Sequence, residues 1–335
     1  MRKAAFAAIA VLVASGCGKP ADPTATASTE APAAAPSVIP AEMPPGEWVK
    51  VTQRLPGTIP TNLSDRLDCL RRPPGGVLLI GHRGGPTRDY PENAIETFAR
   101  TLKAGTRGME VDIATSKDGV LYLMHDDTLE RTTTGEGPTD SLPWSAIQAL
   151  KLETYQQATD FHPPTLADTL KWAVANNALL ELDKKRSTAF APIIQAVRDA
   201  KAENNVFIIT YTDQQAVEVH TTAPELVITA TVTSLAQLDD LLKRGVKADH
   251  LVAWTGVAAP DPALWKALSD RGVESAFGTL GPRSTSLDGK YWADDDGSEY
   301  TDLDQQGLAI LVTDLTDKVS RQLAGAIADA GACNF

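Results

Sequence analysis

Short apolar segments alternate with longer amphipathic segments from Gly75 onward. The short segments are rich in Val, Ile and Leu, which is typical of β-strands, whereas apolar residues three and four positions apart in the longer segments predict helices. This alternation predicts a parallel α/β fold. The nine predicted strands are 77–82, 108–114, 120–125, 178–185, 206–210, 226–232, 250–254, 273–278 and 308–314.

Nine predicted strands within Gly75 to Gly331 fit a TIM (β/α)8 barrel if one segment is misassigned. That span is close to the roughly 250 residues typical of the barrel. A doubly wound open sheet is the alternative. Residues 126–164 are polar and rich in turn residues, so we expect a small insertion after the third strand, over the barrel mouth. The acidic stretch 281–299 lacks EF-hand ligand spacing, and we expect a solvated loop there.

The N-terminal residues have the pattern of a secretion signal, with basic residues, an apolar run and then small residues before Cys17. The segment "VASGC" resembles a bacterial lipobox, whose cysteine is lipidated; an ordinary signal peptide is the alternative. The residues that follow are almost all Ala, Pro, Thr and Glu, a composition that cannot form a core. We therefore expect a signal peptide (1–17), a disordered tether (18–47), a lead-in segment (48–74) and a barrel domain (75–331).

This N-terminus predicts a protein of the bacterial cell envelope, on the periplasmic side, that meets the membrane only through a lipid anchor. Gly18 stands where an inner-membrane retention signal would have Asp, which favours the outer membrane. In this oxidising compartment we expect Cys69 and Cys333 to form a disulfide. Two unpaired buried cysteines are the alternative.

The chain has a formal net charge of -12 and no basic stripe of clustered Lys and Arg along its length. Nucleic-acid phosphates are bound mainly through such clusters, so a nucleic-acid partner is not expected. A small-molecule substrate is expected instead, and the sequence predicts no particular oligomeric state.

Two carboxylates lie two positions apart in the predicted strand "GMEVDIA". Glu110 and Asp112 therefore share one face, while Met109, Val111 and Ile113 share the other. Two buried carboxylates repel each other unless a cation lies between them, and a hard divalent metal fills that role. A strand with one solvent-exposed face is the alternative.

Other predicted strands add polar groups. The segment 178–185 alternates Glu181, Asp183 and Lys185 with leucines, and His82 and His125 end two further segments. The C-terminal ends of strands form the active site of a TIM barrel. Histidines can serve as general base and general acid, and Arg83 next to His82 offers donors suited to phosphate. The set predicts metal-assisted phosphodiester cleavage. The other histidines receive no role: His162, His220 and His250.

Several motifs resemble those of the glycerophosphodiester phosphodiesterases. They are "GHRGG", "PENAIETF", "GMEVDIATSKDGVLYLMHDDTLERTTTGEG", "PPTLADTL" and "LAILVTD", in that order. The resemblance implies a TIM barrel with a small insertion and a reaction that releases an alcohol and glycerol 3-phosphate. It also implies roles for individual residues: His82 and His125 as the acid-base pair, Arg83 as a phosphate ligand, Glu92 and Asn93 as organisers of the site, and Glu110 and Asp112 as ligands of Ca2+ or Mg2+.

The resemblance further implies a third metal ligand and a lysine, spaced as an acidic residue, any residue and Lys. Asp183 and Lys185 fit that spacing, so we expect Asp183 to bind the metal and Lys185 the phosphate. Glu181 remains an alternative ligand. Near the seventh strand the family often has a Trp-Thr pair, whereas this chain has "AFGTLG" from Ala276 to Gly281, so the alcohol released is left open.

Two other functions remain open at this stage. A lipid phosphodiesterase of the phospholipase C or sphingomyelinase D type could use the same barrel, and a membrane anchor would bring lipids within its reach. A binding lipoprotein without catalytic activity is the second alternative. The presence of both histidines, the arginine and the acidic set argues against it.

Overall fold

The computed structural model describes residues 62–71 and 76–335. The expected signal peptide, tether and most of the lead-in segment lie outside these residues. Within the described part of the chain, no helix is long and apolar enough to cross a membrane.

Eight parallel strands form a closed barrel. Each strand pairs with the next along the chain, and the first strand pairs with both the second and the last, which closes the sheet. This closure confirms the TIM barrel and excludes the open sheet. The barrel strands are β1 (Leu78–Gly81), β2 (Gly108–Thr115), β6 (Leu179–Lys184), β7 (Val206–Ile209), β8 (Val227–Thr231), β9 (Leu251–Trp254), β10 (Glu274–Gly278) and β11 (Ile310–Thr313).

One of the nine predicted strands, 120–125, is not a barrel strand. It forms β3 (Leu121–Leu123), which pairs antiparallel with the end of β2, with Ile113 opposite Leu123. Only a tight turn separates the two strands, and parallel strands need a crossover of a dozen or more residues. The insertion follows β3 and contains α3 (Trp144–Ile147), β4 (Glu153–Thr154) and β5 (Gln157–Ala158).

Helices surround the barrel and cover the outer faces of its strands. Several begin at a side chain that accepts a backbone N–H; the Thr165 hydroxyl, for example, accepts from Asp168 N at 3.0 Å. The remaining helices are α1 (Leu63–Leu70), α2 (Ile95–Lys103), α4 (Leu166–Asn176), α5 (Phe190–Ala200), α6 (Asp213–Thr222), α7 (Leu235–Lys243), α8 (Pro262–Ser269), α9 (Leu287–Tyr291), α10 (Ser298–Gln305), α11 (Thr316–Gln322) and α12 (Ala324–Gly331).

The two faces of β2 differ as the alternation predicts. Met109, Val111 and Ile113 belong to the apolar core that includes residues of the surrounding helices. Glu110 and Asp112 occupy the opposite positions, and both are buried. In the parallel register, Glu110 is next to Glu181 and Asp112 is next to Asp183 on β6. Four carboxylates therefore lie side by side within the barrel.

The ends of the described chain cover the opposite end of the barrel from these carboxylates. Leu67 of α1 and the C-terminal Phe335 belong to one buried cluster with residues at the starts of barrel strands, including Leu78 and Leu179. A disulfide joins Cys69 of α1 to Cys333, with the two Cα atoms 5.5 Å apart. The pairing expected from the sequence is confirmed.

Removing this disulfide should destabilise the fold without affecting the site. The bridge spans 264 residues of sequence, so it restricts the unfolded chain strongly. We expect the double variant Cys69→Ala, Cys333→Ala to lose about 2–5 kcal/mol of unfolding free energy, as measured by urea denaturation. An unchanged denaturation midpoint would contradict a stabilising role.

Candidate active site

The turn after β1 carries two candidate residues, His82 and Arg83, and Arg83 has a backbone conformation that few side chains adopt. Arg83 has a φ of +52°, and Gly84 and Gly85 have φ values of +86° and +76°. A Cβ atom on Gly84 would lie 2.2 Å from the Phe98 ring, so only glycine fits there. This turn places His82 beside the barrel mouth and directs the Arg83 N–H to Glu110 Oε2, at 2.8 Å.

Three carboxylates from neighbouring strands form a compact buried cluster. One oxygen from each of Glu110, Asp112 and Asp183 lies within 4.8 Å of the others. Asp183 Oδ1 is buried and accepts no hydrogen bond within the described part of the chain. Burial raises the pKa of Glu110 well above its usual range, and the neighbouring Asp112 and Asp183 raise it further. A set of hard oxygen donors with an unsatisfied oxygen fits a divalent cation such as Ca2+ or Mg2+.

Glu181 lies next to Glu110 in the strand register but is not part of this cluster. Its Oε1 accepts from the Thr229 hydroxyl at 3.1 Å, and burial raises the pKa of Glu181 to about 7. The oxygens of Glu110, Asp112 and Asp183 group together without that of Glu181. The structure therefore favours Asp183 over Glu181 as the third carboxylate of the cluster.

Asn93 and Lys185 hold the acidic cluster in place. The Asn93 amide donates to Asp112 Oδ2 at 2.7 Å, and its Oδ1 accepts from the Asp112 N–H at 3.0 Å. Lys185 Nζ contacts Asp112 and lies 2.5 Å from Asp183 Oδ2. Burial acts to raise the pKa of Asp112, but Lys185, His125 and Asn93 together lower it. The cluster is thus partly neutralised by this chain alone.

Each candidate histidine has a carboxylate partner. His82 Nδ1 lies 2.6 Å from Asp314 Oδ1, and His125 Nδ1 lies 2.6 Å from Asp126 Oδ1. A hydrogen bond at Nδ1 fixes the ring orientation and leaves Nε2 for proton transfer. The sequence analysis assigned no role to either aspartate.

A network of charges joins the Arg83 turn to the insertion. Arg83 Nη1 donates to Glu92 Oε1 at 3.1 Å, and Arg131 donates to both oxygens of Glu92 at 2.8 and 2.9 Å. Arg131 also donates to Asp126, and these hydrogen bonds lower the pKa of Asp126 to about 2. Arg131 therefore links Asp126, the partner of His125, to Glu92, the partner of Arg83. Sequence reasoning missed it, although it lies in the motif "TLERTT".

The expectation of a solvated loop at 281–299 is wrong for part of this stretch. Asp288 of α9 is buried, and its carboxylate accepts from the Thr313 hydroxyl, from Tyr300 Oη at 2.5 Å and from the Asp314 N–H at 2.7 Å. Asp314 Oδ2 in turn accepts from Gly281 N at 2.8 Å. The loop thus fixes the carboxylate that orients His82.

A cavity of about 180 Å³ opens at the barrel mouth. Its polar lining includes His82, Glu181 and Thr229, and its apolar lining includes Trp254 of β9. A Cβ atom on Gly278 would lie 2.7 Å from the Trp254 ring. The glycine in "AFGTLG" therefore makes room for a tryptophan from the preceding strand, so this mouth has an aromatic wall despite lacking the family's usual pair.

Histidines, cationic side chains and an acidic cluster lie together at the C-terminal ends of the strands of a closed barrel. This is where TIM-barrel enzymes have their active sites. The profile of the Glycerophosphoryl diester phosphodiesterase family matches residues 82–266, which is more than half of the chain. The chain belongs to this family.

Individual relatives agree with this assignment. A glycerophosphodiester phosphodiesterase from Caldanaerobacter subterraneus is 29% identical over 159 residues, which is 45% of this chain and 65% of that protein. The crystal structure of a glycerophosphoryl diester phosphodiesterase from Parabacteroides distasonis has a TM-score of 0.68 and 27% identity, covering 79% of this chain and 92% of that one. A phosphodiesterase from Oleispira antarctica shares the fold, with a TM-score of 0.57 and 19% identity over 74% of this chain and 97% of that one; its structure contains the product sn-glycerol-3-phosphate.

A divalent cation should stabilise this fold through the acidic cluster. At 100 times its dissociation constant, Ca2+ or Mg2+ should add about 2.7 kcal/mol to the unfolding free energy, measured as a rise in the thermal midpoint over a chelator-treated sample. Asp183→Asn should reduce this rise strongly, because it removes one charged donor. The exposed Asp89→Asn serves as the control and should keep the full rise. An equal rise in both variants would exclude the cluster as the binding site.

Proposed function

We propose that this chain hydrolyses glycerophosphodiesters to an alcohol and sn-glycerol 3-phosphate, with a divalent cation as cofactor and with His82 and His125 as the acid-base pair. One observation carries the proposal: two carboxylate-bound histidines lie at the same barrel mouth as Arg83, Lys185 and three buried carboxylates. Membership of the family supports the reaction class. The product bound by the Oleispira antarctica protein supports the choice of product.

In this mechanism the glycerol group binds in the mouth cavity, where Glu181 and Thr229 offer hydrogen bonds to its hydroxyls. Arg83 and Lys185 hold the phosphate oxygens. Glu110, Asp112 and Asp183 would hold the cation, which would polarise a phosphoryl oxygen and offset its growing negative charge.

Two proton transfers accompany the first step, and two more accompany the second. His82 lines the glycerol cavity and takes the proton of the neighbouring glycerol hydroxyl, whose oxygen forms a bond to phosphorus. The bond from phosphorus to the other alcohol breaks, and His125 gives its proton to that leaving oxygen. The cyclic phosphate so formed is opened by water, with the two histidines exchanging roles. Asp314 and Asp126 stabilise each imidazolium as it forms.

Turnover of a substrate panel tests this function. Glycerophosphocholine, glycerophosphoethanolamine and lysophosphatidylcholine are assayed with the enzyme stripped of metal and then supplied with Ca2+ or Mg2+. We expect the two water-soluble diesters to be cleaved, only after metal is restored. His82→Ala or His125→Ala should lower kcat by at least about 10²-fold. The thermal midpoint of each variant is measured alongside, so that a loss of rate can be separated from unfolding.

The exposed His162 of the insertion provides the control, since His162→Ala should keep the wild-type rate. A clear preference for the lysolipid would favour the phospholipase C or sphingomyelinase D type of activity instead. Wild-type rates in either site variant would contradict the acid-base mechanism.

We also propose that the protein is a periplasmic lipoprotein anchored through Cys17, with residues 18–47 as its tether. The support is the signal and lipobox pattern in the sequence. Cells grown with labelled palmitate should incorporate label into the wild-type chain and not into Cys17→Ala. The wild-type chain should sediment with outer membranes. An unlabelled wild-type chain in the soluble periplasmic fraction would contradict the anchor.

A further inference from the structure

A second cavity, of about 310 Å³, lies between the barrel and the insertion. We call it the insertion cavity. Thr87 and Glu92 line it from the barrel side, and Arg131, Glu153 and Tyr155 line it from the insertion. The mechanism above places no part of the substrate there.

The insertion cavity adjoins the residues that support Arg83 and His125. Its wall residue Glu92 accepts a hydrogen bond from Arg83, the proposed phosphate ligand. Its wall residue Arg131 contacts Asp126, which in turn contacts His125, the proposed proton donor to the leaving alcohol. His82, in contrast, lines the mouth cavity on the glycerol side. Because its wall residue Glu92 contacts Arg83, the insertion cavity lies next to the proposed phosphate site, where it can receive a group attached to the phosphate.

The charges around this cavity favour a cation. The Glu153 side chain is partly buried and makes no hydrogen bond or ion pair with any residue in 62–71 or 76–335. Arg131, the cationic group in the lining, is already bound by two carboxylates, Glu92 and Asp126. An unneutralised carboxylate thus remains at the cavity wall.

Tyr155 lines the cavity together with Glu153 and lies in a turn with an unfavourable backbone conformation. Tyr155 and Gln156 form the two-residue loop between β4 and β5, with φ values of +50° and +62°. Such a turn strongly prefers Asn-Gly, because most side chains disfavour positive φ. The Tyr155 side chain is 79% exposed, so it gains no stability from core packing that would offset this strain. Residues kept in such conformations cluster at functional sites.

We propose that the insertion cavity binds the leaving alcohol and that Glu153 and Tyr155 select an alcohol with a cationic ammonium group. The carboxylate attracts the positive charge, and the tyrosine ring can lie against the ammonium through a cation-π contact. The Thr154 hydroxyl donates to Thr87 O at 3.2 Å, which ties the hairpin to the barrel loop beside the cavity. This inference rests on the proposed glycerophosphodiester activity and adds its preferred class of leaving group.

The sharpest test compares two diesters of the same shape. Glycerophosphocholine carries a quaternary ammonium, and its 3,3-dimethylbutyl analogue replaces that nitrogen with carbon and is neutral. For the metal-loaded full chain, we expect kcat/KM to be about tenfold higher for the cationic diester. The ratio should fall as ionic strength rises, because salt screens an exposed charge pair.

Variants of the insertion identify the residues responsible. Glu153→Gln and Tyr155→Ala should each bring the ratio close to one, chiefly by lowering kcat/KM for the cationic diester. Tyr155→Phe should keep the preference, because the ring remains. Glu136→Gln removes an exposed insertion carboxylate outside the cavity lining and should leave the ratio unchanged.

Replacing both turn residues separates an effect on the choice of alcohol from an effect on folding. Tyr155→Asn with Gln156→Gly supplies the preferred turn residues, so the thermal midpoint should rise while the preference for the cationic diester is lost. A wild-type ratio near one, or a ratio unchanged in both Glu153→Gln and Tyr155→Ala, would overturn this inference and leave the hydrolase function intact. Failure to cleave either diester would overturn the proposed function, and the inference with it.

Discussion

The concentration of buried negative charge at the barrel mouth is the constraint on which the site depends. Glu110, Asp112 and Asp183 each present an oxygen within 4.8 Å of the others, away from water. Like charges so close together are costly in a medium of low dielectric constant. Lys185, the Asn93 amide and the Arg83 N–H offset part of that cost. The remaining demand for positive charge is what suits the site to a divalent cation.

The same constraint accounts for the unusual backbone around the cluster. Arg83 and Asn93 both have positive φ values, and both use them to reach a carboxylate of the cluster. Glycine would adopt these conformations more easily, but it would lack the Arg83 side chain that contacts Glu92 and the Asn93 side chain that holds Asp112. Strain in the backbone is therefore tolerated where it places a donor beside a buried charge.

The site has two sides that arise from different parts of the fold. The regular barrel supplies the mouth cavity, with Trp254, Thr229 and Glu181 on its strands. The irregular insertion supplies the second cavity and, through Arg131, supports the partner of His125. A rigid barrel can keep the chemistry constant while the insertion varies the group that leaves. The proposed mechanism uses this division, with the reaction centre on the barrel and the leaving alcohol at the insertion.

The sequence by itself determined the barrel class, eight of its strands and the facing of Glu110 and Asp112, because a strand's alternation follows from local backbone geometry. The segment 120–125, which forms β3, could not be told from a barrel strand because its apolar residues look alike in parallel and antiparallel pairs. Only the tertiary structure decided the partners of the histidines and the role of Asp288. Asp314 lies 232 residues from His82 in the chain, and closure of the barrel brings them together. No local pattern encodes such a contact, since it depends on how every strand between them packs.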